Sequence, residues 1–444
     1  MSNGKGGTLV AFIYVTTLFF AWGFVTSIID PLIPAVRSIF TLNFAESMLT
    51  QFAWFIAYGV ASLPAAALLA RMGFSNSIIV ALATMVAGCL IMPLATGLDL
   101  YPGVLLSLFV IASGVTLLQV AANPLVAALG PSESSHFRLT LSQAFNSLGT
   151  VIGPYLGATI MLSGGLFGAS ATLDANASRA ESLRSIDFQF FVVAAFFALL
   201  ALFIFSVRQR IAASAPPTDP KLASPWAAFK SGWALFGGLA IFLYVGAEVA
   251  IASVMINFLL HINFIQYASG FVAWLGSLGL VDSASPPAEI AGKILGLCYW
   301  FGAMVGRFVG SALLTRMPAG ALLAFNALVN TILCLIVTQV AGPVAGVAAL
   351  SAGFFNSIMF PCIFTLTLSR SSAPTSAVSG LLCMAIVGGA ALPWLTGRVA
   401  DAAGLNLAFV VPLLGYIGIV VFALAAARAK AAQPGAVAAP AAGH

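Results

Sequence analysis

Long apolar runs constrain this sequence more than any other feature. A transmembrane helix needs about 20 consecutive apolar residues to cross the hydrocarbon core of a bilayer, and hydropathy divides the 444 residues into about twelve runs of that length. Only 7% of the residues are charged, whereas about a quarter are charged in a soluble domain. Because the runs are too long and too weakly alternating for barrel strands, we predict an all-α integral membrane protein.

The distribution of positive charge predicts the orientation of these spans. An even number of spans places both termini on one side, and taking that side as cytoplasmic gathers 11 of the 17 Lys and Arg residues there. This bias fits the positive-inside rule, so we expect an inner-membrane protein with both termini in the cytoplasm. The pI near 9.1 then reflects topology. Since no basic cluster with interleaved aromatic residues lies outside the predicted spans, we expect no nucleic-acid partner. The predicted spans are 8–36, 45–70, 74–97, 102–128, 138–163, 187–207, 232–260, 289–315, 319–341, 344–369, 377–400 and 406–428.

One internal segment divides the spans six and six. It is the stretch "RQRIAASAPPTDPKLASPW", which is rich in charge, proline and serine and begins at Arg208. Longer loops are predicted at 164–186 and 261–288, which are equivalent places in the two halves. The predicted organisation is an N-terminal six-helix bundle at 1–207, a cytoplasmic linker at 208–231, a C-terminal six-helix bundle at 232–428 and a disordered tail at 429–444.

The two halves also resemble each other in sequence. "LLQVAANPLV" and "FFNSIMFPCI" each place an amide, Gln119 or Asn356, five residues before a proline. In both the fifth and the eleventh span, glycines precede a proline. The second and eighth spans share an aromatic residue shortly before a glycine. Repeats of this kind are typical of transporters built from two related halves. We therefore predict two pseudo-symmetric bundles that together contain twelve transmembrane helices.

Two carboxylates, Asp30 and Glu248, fall at depth within predicted spans, whereas the other acids lie in loops or at span edges. A charged side chain near the bilayer centre costs about 2.5–3.5 kcal/mol on insertion scales, so it usually faces a cavity or a partner and marks a functional site. A buried acid can bind and release a proton as its surroundings dry out or fill with water. Proton coupling by Asp30 and Glu248 is the resulting hypothesis. The alternative is a structural acid that is hydrogen-bonded to a neighbouring helix.

Amides form a second set of polar residues within the spans. Because an amide combines donor and acceptor atoms, it matches the hydroxyl groups of a sugar or polyol. Flat aromatic side chains can present an apolar surface to sugar C–H groups, although each alone is more typical of packing. Arg307 is the remaining charge predicted to be buried, toward the inner end of the eighth span. It either acts at a gate, pairs with a helix C-terminus or forms a structural salt bridge. The candidate substrate-binding residues are Gln51, Gln119, Asn123, Gln143, Asn146, Asn257, Asn356, Trp54, Tyr299 and Trp300.

These motifs resemble the fucose:proton symporter family of the major facilitator superfamily, and within it the glucose/galactose transporter branch. The resemblance is carried by "FFAWGFVTSIIDPLIP", "LLQVAANPLVAALGP", "HFRLTLSQAFNSLGTVIGP" and "YVGAEVAIAS". It implies alternating access by two six-helix bundles around a central sugar site, driven by protons. It assigns the protonatable acid to Asp30 and sugar-contacting amides to Gln143 and Asn146. The family's fucose permease has a further acid in its fourth helix, where this chain has Gln119.

The predicted function is proton-coupled uptake of a hexose, with no enzymatic activity, no cofactor and no metal. Sodium-coupled and passive sugar carriers remain alternatives, because the fourth-helix acid is missing. A drug or metabolite antiporter would favour a larger apolar pocket over this density of amides. The expected partners are a sugar, a coupling cation and the lipid bilayer, and we expect a monomer. The three histidines are scattered, and the five cysteines lack CxxC spacing, so neither residue type predicts a metal site.

Overall fold

A computed structural model describes residues 2–28, 40, 44–161, 175–218, 224–282 and 285–429, and within them the chain is helical with no β-strand. In the N-terminal half, α1 spans Ser2–Ile28. One long helix, Phe44–Gly97, changes direction at Gly73, which has φ of 76°, so we treat 44–72 as α2 and 74–97 as α3. It is followed by α4 at Tyr101–Ala128, α5 at Ser135–Met161 and α6 at Ala175–Ser214, with a short 3₁₀ helix at Ser132–Ser134.

The C-terminal half begins with a 3₁₀ helix at Pro225–Lys230 and then α7 at Gly232–His261. Two short helices, Phe264–Tyr267 and Ser269–Ser277, connect α7 to the next long helix. The remaining long helices are α8 at Pro287–Leu313, α9 at Ala319–Gln339, α10 at Pro343–Arg370, α11 at Thr375–Ala403 and α12 at Leu405–Arg428.

The prediction of an all-α membrane protein is confirmed. Ten stretches of the described chain are long and apolar enough to span a membrane. One of them, Leu49–Gly97, contains both α2 and α3. α5 is not among the ten, since it carries polar residues such as His136, Arg138 and Gln143 along its length. Counting α2 and α3 separately and including α5 gives the twelve helices that hydropathy predicts.

Both predicted boundaries of α6 were wrong, and the predicted loop 261–288 contains two short helices. α6 begins at Ala175, so much of the predicted loop 164–186 is helical. Hydropathy missed this start because "ANASRAESLRS" is polar, although Ala, Glu, Arg and Leu favour helix. α6 also continues to Ser214, and the Pro216–Pro217 pair follows directly and prevents further helix. Residues 430–444 of the predicted tail lie outside the described residues.

Three long helices of the C-terminal half are interrupted. α8 contains a π-helical turn at Leu295–Trp300, α10 is broken between Asn356 and Met359, and α11 contains a 3₁₀ turn at Ala385–Val387. Such interruptions free backbone polar groups, and in membrane proteins they persist where protein or water satisfies those groups. π-turns also occur frequently at functional sites. Because of these interruptions, α8, α10 and α11 are candidates for forming a binding site.

Contacts between residues divide the chain into two compact units that do not follow the two halves completely. The first unit comprises Met1–Ser135, Phe145–Ala228 and Pro374–Met384, and the second comprises His136–Ala144, Phe229–Ala373 and Ala385–His444. Within the second unit, His136 Nδ1 lies 2.5 Å from Thr365 Oγ1. Within the first unit, Ser379 Oγ donates to the carbonyl of Val120 at 2.7 Å. The first part of α5 and the first part of α11 therefore pack on helices from the other half of the sequence.

Glycines allow two pairs of helices to approach closely. A Cβ atom at Gly149 of α5 would lie 2.5 Å from the carbonyl oxygen of Phe20 in α1. In the second unit, a Cβ atom at Gly388 of α11 would collide with the carbonyl oxygen of Phe242 in α7. Small residues at such contacts are typical of packed membrane helices. The pairs α1–α5 and α7–α11 occupy corresponding places in the two halves, as the predicted repeat requires.

Gly388→Ala should destabilise the protein, because the added methyl group must displace the backbone of α7. We expect a loss of about 1–3 kcal/mol in the free energy of unfolding, the usual cost of overpacking. Gly397 lies on the same helix, and a methyl group there would have no packing neighbour within 4 Å. Gly397→Ala is therefore the matched control and should be neutral or slightly stabilising. Thermal unfolding of both variants in detergent, followed by circular dichroism, tests this. Equal melting temperatures for the two variants would contradict it.

Candidate functional site

Two amides at corresponding positions in the sequence halves each hydrogen-bond to a buried tyrosine. In the first unit, Gln119 Nε2 of α4 donates to Tyr58 Oη of α2 at 2.8 Å. In the second unit, Asn356 Nδ2 of α10 donates to Tyr299 Oη of α8 at 2.9 Å. All four side chains are buried, with exposed fractions of 8% or less. The repeat therefore extends from sequence to side-chain contacts, since each half builds the same amide–tyrosine pair.

Asn356 is the centre of a larger network in the second unit. Its Oδ1 accepts hydrogen bonds from Asn330 Nδ2 of α9 at 2.9 Å and from Tyr416 Oη of α12 at 2.8 Å. Tyr299 Oη in turn donates to the backbone carbonyl of Glu248 in α7 at 3.0 Å. One buried amide thus connects α7, α8, α9, α10 and α12. Because Asn356 is the last residue of the first part of α10, the network fixes the end of that part at the break.

The predicted acid Glu248 is buried beside two other polar side chains. Its exposed fraction is 8%, and Tyr244 and Arg307 lie close enough to interact with it electrostatically. Arg307, from α8, is half-buried and donates from Nε to the carbonyl of Ser357 at 3.1 Å. The Tyr244 hydroxyl interacts with the Glu248 carboxylate, and Arg307 interacts with both side chains. The structure therefore places a buried carboxylate next to a tyrosine hydroxyl and the single arginine of α8.

The predicted amides of α4 and α5 are buried. Asn146 Nδ2 donates to the backbone carbonyl of Phe19 in α1 at 2.9 Å. Asn123 is fully buried in α4. Gln143, one helical turn before Asn146, has an exposed fraction of 6% and belongs to the part of α5 that packs in the second unit. Asn146 therefore anchors α5 to α1 in addition to any contact with substrate.

Four other predicted residues lie outside these hydrogen-bonded networks. Gln51 is exposed and Trp54 is half-buried on α2, where spacings of three and four residues put them on the face of Tyr58. Asn257 of α7 is exposed. Trp300 is 40% exposed, and its ring meets that of Tyr299 edge-on at 5.1 Å. These side chains are less buried than the amide–tyrosine pairs, which hold the helices.

Asp30, the predicted proton-coupling acid of the first span, lies outside the described residues. The part of the chain that the structure describes contains no group of three or more metal-ligating side chains. The described candidate residues are therefore the amides and tyrosines of each unit and, in the second unit, Glu248 and Arg307.

Three residues of the networks were not predicted from the sequence. Asn330 lies inside the ninth predicted span, where burying an amide is as costly as in the tenth. A polar amide inside an apolar span was therefore a signal that could have identified it. Tyr58 lies four residues after Trp54, on the same helical face. Tyr416 carries no comparable signal, because a tyrosine in an apolar span is equally typical of a membrane interface.

The twelve helices, the related halves and the buried polar networks define a membrane transporter. Residues 15–382 match the Major Facilitator Superfamily, and the chain belongs to it.

Within the superfamily, the chain is similar to sugar transporters over almost its whole length. It is 40% identical to the glucose/galactose transporter of Brucella abortus, over 92% of each chain. It is 30% identical to the L-fucose-proton symporter of Escherichia coli, over 94% of this chain and 92% of the relative. A crystal structure of the E. coli fucose:proton symporter matches with a TM-score of 0.80 and 26% identity, over 95% of this chain and all of that one. The chain therefore belongs with these sugar transporters rather than with an enzyme family.

Proposed function

We propose that this protein is a proton-coupled symporter that takes up a hexose by alternating access. The observation that carries the proposal is 40% identity to a glucose/galactose transporter over 92% of each chain. A proton-coupled relative at 30% identity supports the coupling ion. The buried amides are consistent with this function, because sugar hydroxyls need both donors and acceptors. Coupling requires only that sugar and proton favour the same conformational change.

In this proposal, Asp30 carries the coupling proton and Glu248 provides a second protonatable site. Glu248 suits that role because it is buried and lies beside Tyr244 and Arg307. Arg307 then acts at the gate by responding to the charge on Glu248. The sugar is contacted by exposed and half-buried side chains such as Gln51, Trp54 and Asn257. The remaining proposed sugar-binding residues are Gln119, Asn123, Gln143, Asn146, Asn356, Tyr299 and Trp300.

The proposal includes a topology. Two six-helix bundles, 1–207 and 232–428, rock about the central site and are joined by a cytoplasmic linker at 208–231. Both termini lie in the cytoplasm and the protein is a monomer in the inner membrane, surrounded by lipid. This orientation is supported by the distribution of Lys and Arg along the chain.

Asp30→Asn should abolish sugar accumulation while leaving sugar exchange. The neutral amide resembles the protonated acid, so the carrier can still change conformation with sugar bound, but it can no longer release a proton. The measurement is internal pH in proteoliposomes while single hexoses are added outside, together with counterflow of labelled sugar. Sugar-dependent acidification should fall to background in this variant, and counterflow should persist.

Asp401→Asn is the matched control, because Asp401 is an exposed acid near the end of α11 and should leave acidification unchanged. Active accumulation by Asp30→Asn would exclude Asp30 as the coupling acid. Uptake by the unaltered protein without acidification would exclude proton coupling. A repeat with a sodium gradient would then distinguish a sodium-coupled carrier from a passive one.

A further inference from the structure

The segment 264–280, between α7 and α8, is unusually apolar for a loop. No Asp, Glu, Lys or Arg lies between His261 and Asp282. The segment begins three residues after the end of α7 at His261 and contains the short helices Phe264–Tyr267 and Ser269–Ser277. A loop that projects into water usually carries polar side chains that favour water. This segment has few of them.

The segment buries one apolar face and exposes another. Val272 and Leu275 are 5% and 3% exposed, whereas Trp274 and Leu278 are 56% and 54% exposed. The Trp274 ring stacks on that of Phe271 at 5.9 Å. The other large exposed side chains of the segment are Tyr267 and Leu280, at 66% and 46%. A continuous exposed apolar surface marks a contact with protein or membrane.

The position of the segment along the helices favours the membrane. Phe264 packs where a Cβ atom at Gly346 would lie, so the segment is held against the start of α10. α7 ends at His261 and α10 begins at Pro343, so the segment lies level with the ends of two membrane-spanning helices. Tryptophan and tyrosine are enriched at this level, where their amphipathic rings meet the lipid headgroups.

A groove of about 620 Å³ lies between the segment and helices α8 and α10. None of its eleven lining residues is charged, and they include Tyr267, Phe271, Cys298 and Phe354. Ser351, a further lining residue, donates its hydroxyl hydrogen to the carbonyl of Val347 at 2.8 Å. The groove therefore offers few polar groups to a sugar, which would need donors and acceptors to replace its water.

We propose that segment 264–280 lies in the membrane interface and that the groove beneath it holds an acyl chain of a bilayer phospholipid. Val347 is both a lining residue of the groove and 56% exposed on α10, next to Val344 at 58%. The groove thus continues the apolar surface that the spanning helices present to hydrocarbon. An interfacial helix with buried apolar side chains is bound by the area it removes from water.

Fluorescence quenching at Trp274 tests the location of the segment. Trp274→Phe and the unaltered protein are compared in two kinds of sample: liposomes made with brominated phospholipid, and ordinary liposomes with iodide added outside. The protein has seven tryptophans, and the difference in quenching between the two proteins isolates the contribution of Trp274. We expect Trp274 to be quenched by lipid brominated near the headgroup and protected from iodide. Trp22→Phe is the control, because Trp22 is 5% exposed and should contribute to neither difference. Quenching by iodide alone, or by neither agent, would overturn the interfacial placement.

Native mass spectrometry tests the occupant of the groove. Ser351→Phe places a ring in the groove, and we expect it to lower the number of phospholipids retained per protein through detergent by one. Leu328→Phe is the matched control, because Leu328 is 50% exposed on α9 and does not line the groove. Equal lipid retention by Ser351→Phe and Leu328→Phe would exclude the acyl chain.

Discussion

Replacing Asn356 with leucine is expected to destabilise the second unit by about 2–4 kcal/mol, because three hydrogen bonds to one side chain are lost. Leucine is similar in size, so the loss is mainly polar. Tyr416 Oη loses the acceptor that its buried hydroxyl uses, and Tyr299 Oη loses its donor. Hydrogen bonds between membrane helices are individually weak, averaging about 0.6 kcal/mol. The larger effect expected here comes from groups left buried without a partner.

Asn326→Leu is the matched control for Asn356→Leu. Asn326 is also a buried amide, with an exposed fraction of 8%, and its Nδ2 donates to the backbone carbonyl of Phe355 at 3.2 Å rather than to another side chain. We expect a cost of about 1 kcal/mol or less for this variant. Reversible unfolding in mixed micelles, with increasing sodium dodecyl sulfate, measures both. If Asn356→Leu were no more destabilising than Asn326→Leu, the network would not act as a connected unit.

Sequence alone predicted the helices well because a membrane helix has a strong signal. Within the residues that the structure describes, the twelve predicted runs correspond to twelve long helices, and the errors fell where the chain leaves the bilayer and hydropathy no longer applies. The early start of α6 at Ala175 is the clearest case, since a polar helix outside the membrane has the composition of a loop. The short helices at 264–277 are another, since apolar runs of that length can be helix or strand.

The amides of the site were recognisable for the same reason that the helices were. A polar side chain inside an apolar span is costly, and the repeat singled out Gln119 and Asn356 among them. Their tyrosine partners were harder to predict, because the pairing of Tyr58 or Tyr416 with an amide depends on which helices pack together. Periodicity places a residue on a helical face but does not identify the neighbouring helix. Asn330 required no such information, because an amide inside an apolar span is a sufficient signal by itself.

A large effect on stability is expected from breaking the electrostatic contact between Glu248 and Arg307. Removing one partner of a fully buried charge pair typically costs about 3–5 kcal/mol, and because Arg307 is half-buried we expect this value as an upper bound. Glu248 is more deeply buried than Arg307, so the two single variants should differ. Arg307→Met, which also loses the bond to Ser357, should approach that cost. Glu248→Gln should cost less, because the half-buried Arg307 retains access to solvent.

The double variant Glu248→Gln, Arg307→Met distinguishes a pair from two independent residues. If the charges compensate each other, removing both eliminates the unpaired carboxylate, and the double variant should be more stable than Arg307→Met alone. Independent effects would instead add, within about 0.3–0.5 kcal/mol. The same unfolding measurement in micelles gives the stability of the unaltered protein, the two single variants and the double variant. The double variant gains stability over Arg307→Met only if the Glu248 carboxylate is charged when Arg307 is present. The size of this gain therefore also tests whether Glu248 can serve as a site whose charge changes during transport.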